Sequence, residues 1–339
     1  MTHGKRVSNL NWILFAILTV LTIEALFRRH HETTSNTITQ NSVSTQSSPA
    51  VLQHSLQSPT HSKVGKLFMQ YGPLNPMYER ALATHIPHNE QHGYRMSILR
   101  RPTVKFLWSK PAFMLSHILQ ELEKPEAQRL EWFFWFDSDM LLLNPNIPLE
   151  SFLPPRQHWN HIRALVVQDR NGLNTGAFAL RVDRWSAMFL AATLATPHAL
   201  PHLKLKYNDQ SAMEYWLQSD LYRNSTMHVP QRWLNAYPGR RGNTPGLPAD
   251  PNAPQSAAQR QPFTVREGDL AVHFAGGGDT RAPRMLPWLD VAEQRLKRWE
   301  VAWNETTYPG EISEFWEREA GGEWERVEAM REKCGYQYS

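Results

Sequence analysis

The run Glu131-Trp132-Phe133-Phe134-Trp135-Phe136, followed at once by Asp137-Ser138-Asp139, constrains this chain more than any other segment. After Glu131 no polar residue alternates through the run, and its length is that of a strand. It reads as a strand buried on both faces, central in a sheet covered by helices. In an extended chain residues i and i+2 point the same way. Asp137 and Asp139 would therefore converge just past the strand's C-terminal end, where open α/β sheets bind ligands. Paired carboxylates suit a hard divalent cation, Mg²⁺ or Mn²⁺, which can also hold a diphosphate. For transfer from a sugar nucleotide that cation would neutralise charge on the departing diphosphate. A phosphatase would use the first Asp as nucleophile. That reading expects a Thr or Val shortly after the triplet, near the start of a domain. Here Met140-Leu141 follow, and about 70 residues of domain come first.

The flanking sequence alternates strand and helix. Strands are expected at Val64–Tyr71, Tyr94–Leu99, Leu165–Gln168, Ala177–Val182 and Leu270–Phe274. Helices are expected at Asn75–Glu90 (ended or kinked by Pro87), Pro111–Leu122, Asp183–Ala195 and Asp209–Ser219. The alternation predicts an α/β fold with a mainly parallel sheet. Gly239–Pro262 lacks periodicity and reads as a long loop over the site. His273 follows an apolar strand and precedes a glycine run. A neutral imidazole there can complete a Mn²⁺ site, and glycines let backbone N–H groups approach phosphate. A core histidine followed by a turn fits the same residues. His85, His88 and His92 straddle Pro87 and read as surface residues. From Trp288 to Cys334 the pattern is that of two amphipathic helices packed on the domain.

Ahead of the domain, residues 10–27 form an apolar run interrupted only by Asn11, Thr residues and Glu24. That is near the short limit of a membrane span, and no small-residue cleavage site follows it. Residues 31–62 are rich in Ser, Thr, Gln, Asn and His and read as a flexible stem. The expected plan is a cytoplasmic tail over 1–9, an anchor over 10–27, a stem over 28–62, a catalytic domain over 63–287 and a helical extension over 288–339. The net charge of +4 is split evenly between residues 1–62 and the rest, with no Lys/Arg block, which argues against nucleic acid. One cysteine excludes a disulfide scaffold. The sequons at Asn224 and Asn304 agree with a lumenal domain. Thirteen tryptophans fit carbohydrate handling and a large core equally well.

Six blocks carry a family resemblance: residues 75–94, 109–119, 131–155, 172–181 (GLNTGAFALR), 208–217 (NDQSAMEYWL) and 272–277 (VHFAGG). Over about Lys63 to Pro287 the chain resembles the fungal galactosyl/mannosyltransferases of glycosyltransferase family 34, which also includes plant xyloglucan xylosyltransferases. The resemblance implies a GT-A (Rossmann-like) fold on a single-pass type II Golgi membrane protein with a lumenal catalytic domain. It also implies a Mn²⁺-dependent, retaining α-glycosyltransferase. Such an enzyme would move galactose or mannose from UDP-galactose or GDP-mannose to a mannose-type glycan or glycoprotein acceptor. By the same resemblance Asp137, Asp139 and His273 are metal ligands, and Asp209 and Gln210 lie beside the anomeric carbon. Ser138 lies near the donor ribose, and Gly172, Asn174, Thr175 and Gly176 form a loop lining the sugars. Lys110 and Gly276 lie near the donor phosphates. Arg281 is the nearest cation where plant relatives have a lysine, and Asn208 stands where they often have an acid. Retention is then expected by front-face substitution, with Asp209 as nucleophile the rival. An alternative is a non-catalytic subunit of a Golgi mannan-synthesising complex, presenting tail tryptophans to its partners.

Overall fold

In the computed structural model, which describes residues 62–320 apart from 71, 157–158, 240–250, 252–260 and 277, the apolar run becomes the strand Trp132–Asp137, β3. Trp132 through Phe136 are all buried, as coverage of both faces requires. On one side β3 pairs in parallel with Val64–Met69 (β1), which places Met69 opposite Asp137. Strand β1 in turn pairs in parallel with Arg95–Leu99 (β2). On its other side β3 pairs antiparallel with Gly172–Arg181 (β6), and β6 antiparallel with Ala164–Asp169 (β5). Thr226–His228 (β7) closes the sheet in parallel with β5. Of the six strands only β6 runs against the rest, so the sheet is mixed. The cause is local. Strands β5 and β6 are joined by the two residues Arg170-Asn171, and so short a connection can only make a hairpin. Gly172, at φ +99°, takes the turn, and the Asp169 carboxylate accepts the Asn171 N–H at 2.6 Å.

Alternate β3 residues feed two cores. Phe133 and Trp135 pack with Leu67 and Phe178 beneath Ser109–Leu122 (α3), Arg184–Ala199 (α4) and Asp209–Leu217 (α5). Phe134 and Phe136 pack with Phe68, Leu165 and Phe152 beneath the C-terminal elements. The expected helix over 75–90 is two helices, Pro76–Ala83 (α1) and His85–His92 (α2), broken at Thr84 rather than at Pro87. Pro87 falls in the first turn of α2, where its missing N–H costs nothing. The break puts His85, His88 and His92 on one inward helix face, which corrects their reading as surface residues. His85 and His88 are fully buried, and so is Lys66 of β1. Lys66 donates to Asn89 Oδ1 at 2.7 Å and lies 3.2 Å from His88 Nδ1. Burial without a carboxylate partner holds its ammonium well below the usual lysine range.

A two-stranded ribbon, Met140–Leu142 (β4) with Ala271–His273 (β8), lies beside the main sheet. After the five-residue helix Gln231–Asn235 (α6) and β8 come Arg281–Gln294 (α7) and Tyr308–Ala320 (α8). Helix α7 crosses the expected boundary at 287/288, and its Trp288 and Leu289 are buried with Val272 and Phe274. Phe315 and Trp316 of α8 are buried in the core that holds Phe134. The tail pattern beyond residue 320, the anchor over 10–27, the stem to residue 61 and most of the loop over 239–262 lie outside the described residues. Among the described residues no helix is long and apolar enough to cross a membrane.

Helix α8 is held by charge as well as by packing. Arg232, in α6 and only 3% exposed, pairs with both Asp269 and Glu311. Its guanidinium also lies 5.3 Å from the Tyr308 ring centroid. Removing the cation would leave the buried Asp269 carboxylate without its ion-pair partner, held among the described residues only by the Arg266 N–H at 2.7 Å. Arg232→Met is expected to cost about 3–5 kcal/mol, read as a lower urea midpoint at unchanged m-value.

Candidate metal and donor site

The carboxylate pair forms, but not by the extended geometry expected from its spacing. Asp137 is the last residue of β3, and Ser138 and Asp139 make a turn into β4. The ribbon then supplies the third group. His273 is the register partner of Met140, and the Phe274 N–H donates to the Asp139 carbonyl at 3.0 Å. One ligand atom from each of Asp137, Asp139 and His273 lies within 4.8 Å of the others.

The donor set fits a divalent cation. His273 Nδ1 faces the side-chain oxygen of Asn235. That contact puts the proton on Nδ1 and turns the Nε2 lone pair toward Asp139 Oδ1, 3.2 Å away. A lone pair and a carboxylate that close repel unless a cation or proton lies between them. A metal-ligating histidine usually donates its other N–H in this way. Asp139 is nearly buried. Burial would raise its pKa, but with a proton in the cation's place on Nε2 the His273 imidazolium, and then Arg281, more than offset that and hold it below the usual range.

Two cations flank the carboxylates. Lys110, buried in the first turn of α3, lies 2.9 Å from Asp137 Oδ1 and 4.0 Å from Asp209 Oδ2. It donates to the Thr175 carbonyl at 2.9 Å. Burial alone would lower its pKa, yet Asp137 and then Asp209 hold it above the ordinary value. The Trp135 indole N–H also donates to Asp137 Oδ1, at 2.6 Å. Arg281 opens α7 and reaches Asp139 Oδ2 at 3.1 Å. It is fixed there by the Phe274 and Gly276 carbonyls and by the Tyr78 hydroxyl. Gly276 has φ +68° and Ser138 is half-buried.

Asp209 and Gln210 begin α5 after Asn208, whose φ of +51° is strained for a non-glycine residue. The Asp209 carboxylate is 2% exposed, and among the described residues its Oδ2 accepts no hydrogen bond. Burial pushes its pKa up to about 6 against the pull of Lys110. Gln210 Oε1 accepts from the Thr175 N–H at 3.2 Å. Gly172, Asn174, Thr175 and Gly176, expected as a loop, belong instead to strand β6. The β5–β6 register shifts between Leu165↔Ala179 and Val167↔Asn174, a bulge of the kind that re-aims side chains near sites. Gly176 lies against the His273 ring; a Cβ there would come 2.2 Å from Cε1.

The structure thus brings Asp137, Asp139, His273, Lys110, Asp209, Gln210, Thr175, Gly176 and Arg281 around one centre, with Ser138, Asn174 and Gly276 beside them, while Gly172 lies at the β5–β6 turn against Glu214. It adds Trp135 on Asp137, Asn235 on His273 and Tyr78 on Arg281. Asn235 and Tyr78 had no sequence signal, because each acts through a fold contact between distant segments; Trp135 lies two residues before Asp137 on β3, the spacing that puts both on one face.

Two expectations follow. Gly176→Ala should displace the imidazole and weaken Mn²⁺ binding about 10–100-fold, read from the electron paramagnetic resonance of free Mn²⁺, with the far-UV spectrum unchanged. Asp209→Asn should raise stability while removing activity. The folded pKa of about 6 lies above the ordinary 3.8. The ionised form is therefore disfavoured by folding, and the stability this group allows below pH 4 is lost as pH rises through 6. The variant should melt a few degrees higher at pH 7.5, and the gain should vanish near pH 4.

Comparison with known proteins agrees with this geometry. Residues 154–282 match the model of the galactosyl transferase GMA12/MNN10 family. Over 205 residues the chain is 27% identical to the probable alpha-1,2-galactosyltransferase gmh1 of Schizosaccharomyces pombe, covering 50% of this chain and 53% of the relative. Over 215 residues it is 22% identical to the probable alpha-1,6-mannosyltransferase MNN10 of Saccharomyces cerevisiae, covering 55% and 52%. The matches thus span about half the length of these curated relatives. Among solved structures, a glycosyltransferase involved in the glycosylation of the major capsid of PBCV-1 superposes with a TM-score of 0.47 at 16% identity, over 67% of this chain and 98% of that one. The matched segment 154–282 carries β5 through β8 together with Asp209, Gln210, His273 and Arg281.

Proposed function

We propose that the chain is a retaining α-glycosyltransferase of GT-A type. It would transfer galactose or mannose from UDP-galactose or GDP-mannose to a mannose-type glycan, with Mn²⁺, on the lumenal side of the Golgi membrane. The observation that carries this reading is the convergence of Asp137, Asp139 and His273 beside the buried Lys110–Asp209 pair. The names of the relatives, one a galactosyl- and one a mannosyltransferase, support hexosyl transfer and keep both donors open. The exposed side chains of Asn224 and Asn304 and the apolar run over 10–27 support a lumenal domain on an anchor.

Asp137, Asp139 and His273 would hold the cation, which when bound neutralises charge on a departing nucleoside diphosphate. Lys110 and Arg281 would face the same phosphates as fixed cations needing no reorganisation. Gln210, oriented by the Thr175 N–H, and Asp209, paired with Lys110, would stabilise positive charge developing at the anomeric carbon. The ammonium 4.0 Å from Asp209 Oδ2 withdraws charge from that oxygen and makes it a poorer nucleophile, which supports front-face substitution. Among the described residues Trp288, Trp299 and Trp316 of the tail are buried and Trp303 is half-buried, which gives little support to a non-catalytic role resting on solvent-facing tryptophans; Trp324 lies outside the described residues.

The decisive experiment is a thermal-shift screen of the full chain with UDP-galactose and GDP-mannose, with and without Mn²⁺. One donor should stabilise the protein only with Mn²⁺, by about 2.7 kcal/mol at a hundredfold excess over Kd. Failure of both donors at millimolar concentration would sink the reading.

A further inference from the structure

We infer that Tyr237 and Phe263, with Asp169 at their edge, form the platform that binds the acceptor's pyranose ring next to the metal centre. This rests on the glycosyltransferase reading above and assigns a part of the site that the residues named from sequence leave out.

The two aromatic residues are fixed by backbone contacts. The Tyr237 N–H donates to the Phe263 carbonyl at 2.8 Å, the Val265 N–H donates to the Tyr237 carbonyl at 2.9 Å, and Tyr237 bridges to Thr264. Their ring centroids lie 6.4 Å apart at 65°. Phe263 is 42% exposed although it adjoins buried Thr264 and Val265. Tyr237 is half-buried, and its ring centroid is 5.9 Å from that of His273. An aromatic pair one ring's width from a candidate metal ligand offers an apolar wall to a sugar's C–H face.

The polar side of the platform is equally specific. The Tyr237 hydroxyl donates to Asp169 Oδ2. The Asn174 amide donates to the same Oδ2 at 2.9 Å and contacts the Tyr237 oxygen at 3.0 Å. Burial first, and then Asp169, push the Tyr237 phenol well above its ordinary range, so it remains a donor. With the Asn171 N–H on Oδ1, three of the roughly four acceptor positions of the Asp169 carboxylate are taken. The half-exposed remainder suits a sugar hydroxyl, in a charge-assisted hydrogen bond. Lys110 and Arg281, the cations suited to phosphate, lie instead against the two metal-site aspartates. The apolar wall therefore matches a neutral ring rather than a nucleotide's diphosphate.

The test uses the full chain with Mn²⁺ and compares donor hydrolysis with transfer to a panel of methyl hexopyranosides. Phe263→Ala should raise the acceptor KM about tenfold, equivalent to one weak stacking contact. Donor KM and hydrolysis rate should stay within about twofold of wild type. Phe263→Tyr, which keeps the ring, should restore the acceptor KM. An unchanged acceptor KM in Phe263→Ala would overturn the assignment. So would donor KM rising in step with acceptor KM, because the wall would then belong to the donor. A wild-type protein that hydrolyses donor yet uses no pyranoside would reject the platform alone. A wild-type protein that uses no donor would reject the functional reading and the platform with it.

Discussion

The site depends on one short piece of backbone pairing, the register of β4 against β8. Each strand is only three residues long, too short to hold its register by hydrogen bonds alone. Packing on its two sides fixes it. Met140, Leu142 and Ala271 enter one core, and Leu141 and Val272 enter another with Trp288 and Leu289 of α7. A slip of one residue would turn every side chain to the opposite face and bring Val272 or Phe274 to the carboxylates in place of His273. Helix α7 therefore helps to build the site it borders. Its first residue, Arg281, returns to Asp139, and Asp269, two residues before β8, is tied through Arg232 to α8. The C-terminal elements act as a buttress for the metal ligands.

Charge at the centre is arranged so that an anionic ligand and a cation need each other. Three carboxylates, Asp137, Asp139 and Asp209, face two fixed cations, Lys110 and Arg281. Left alone, the cluster has one negative charge in excess in a largely buried setting; burial, with Asp137 adding to it, raises the pKa of Asp209 against the pull of Lys110. A divalent cation reverses the sign and leaves the centre favourable to a diphosphate.

Much of this was legible in the sequence, and the reasons differ by element. The buried strand β3 and the acidic pair after it were plain, because a continuous apolar run has few alternatives. The sheet's one antiparallel member was hidden. Its N-terminal half, Gly172–Gly176, holds two glycines and an Asn-Thr pair, which read as a loop by composition. Only the pairing with β5, and its continuation into the half paired with β3, makes it a strand. His273 was ambiguous by local pattern, and the resemblance rather than the pattern pointed to the metal. The inward face of His85, His88 and His92 was missed because Pro87 drew attention to a break that falls at Thr84. Asn235 and Tyr237 were invisible as site residues, since each becomes one only through contacts made across the fold, whereas Trp135 reaches Asp137 within its own strand.

That Gly172–Gly176 is a strand changes what the site can do. Within three residues β6 touches five groups of the site: Asn174 meets Asp169 and Tyr237, Thr175 meets Lys110 and Gln210, and Gly176 meets the His273 ring. A loop in that place could adjust each contact independently. A strand held against β5 over Gly172–Asn174 and continued against β3 from Ala177 has less freedom, so a shift at one group is felt at the others. Sites held on rigid elements keep their geometry to fractions of an ångström, and front-face substitution needs that precision because leaving group and acceptor share one side of the sugar. The bulge between Asn174 and Ala179 lets this strand leave the sheet's regular register where the His273 ring presses against Gly176. The absence of a side chain at Gly176 is therefore the steric condition for the imidazole to stand where the two carboxylates can share a cation with it.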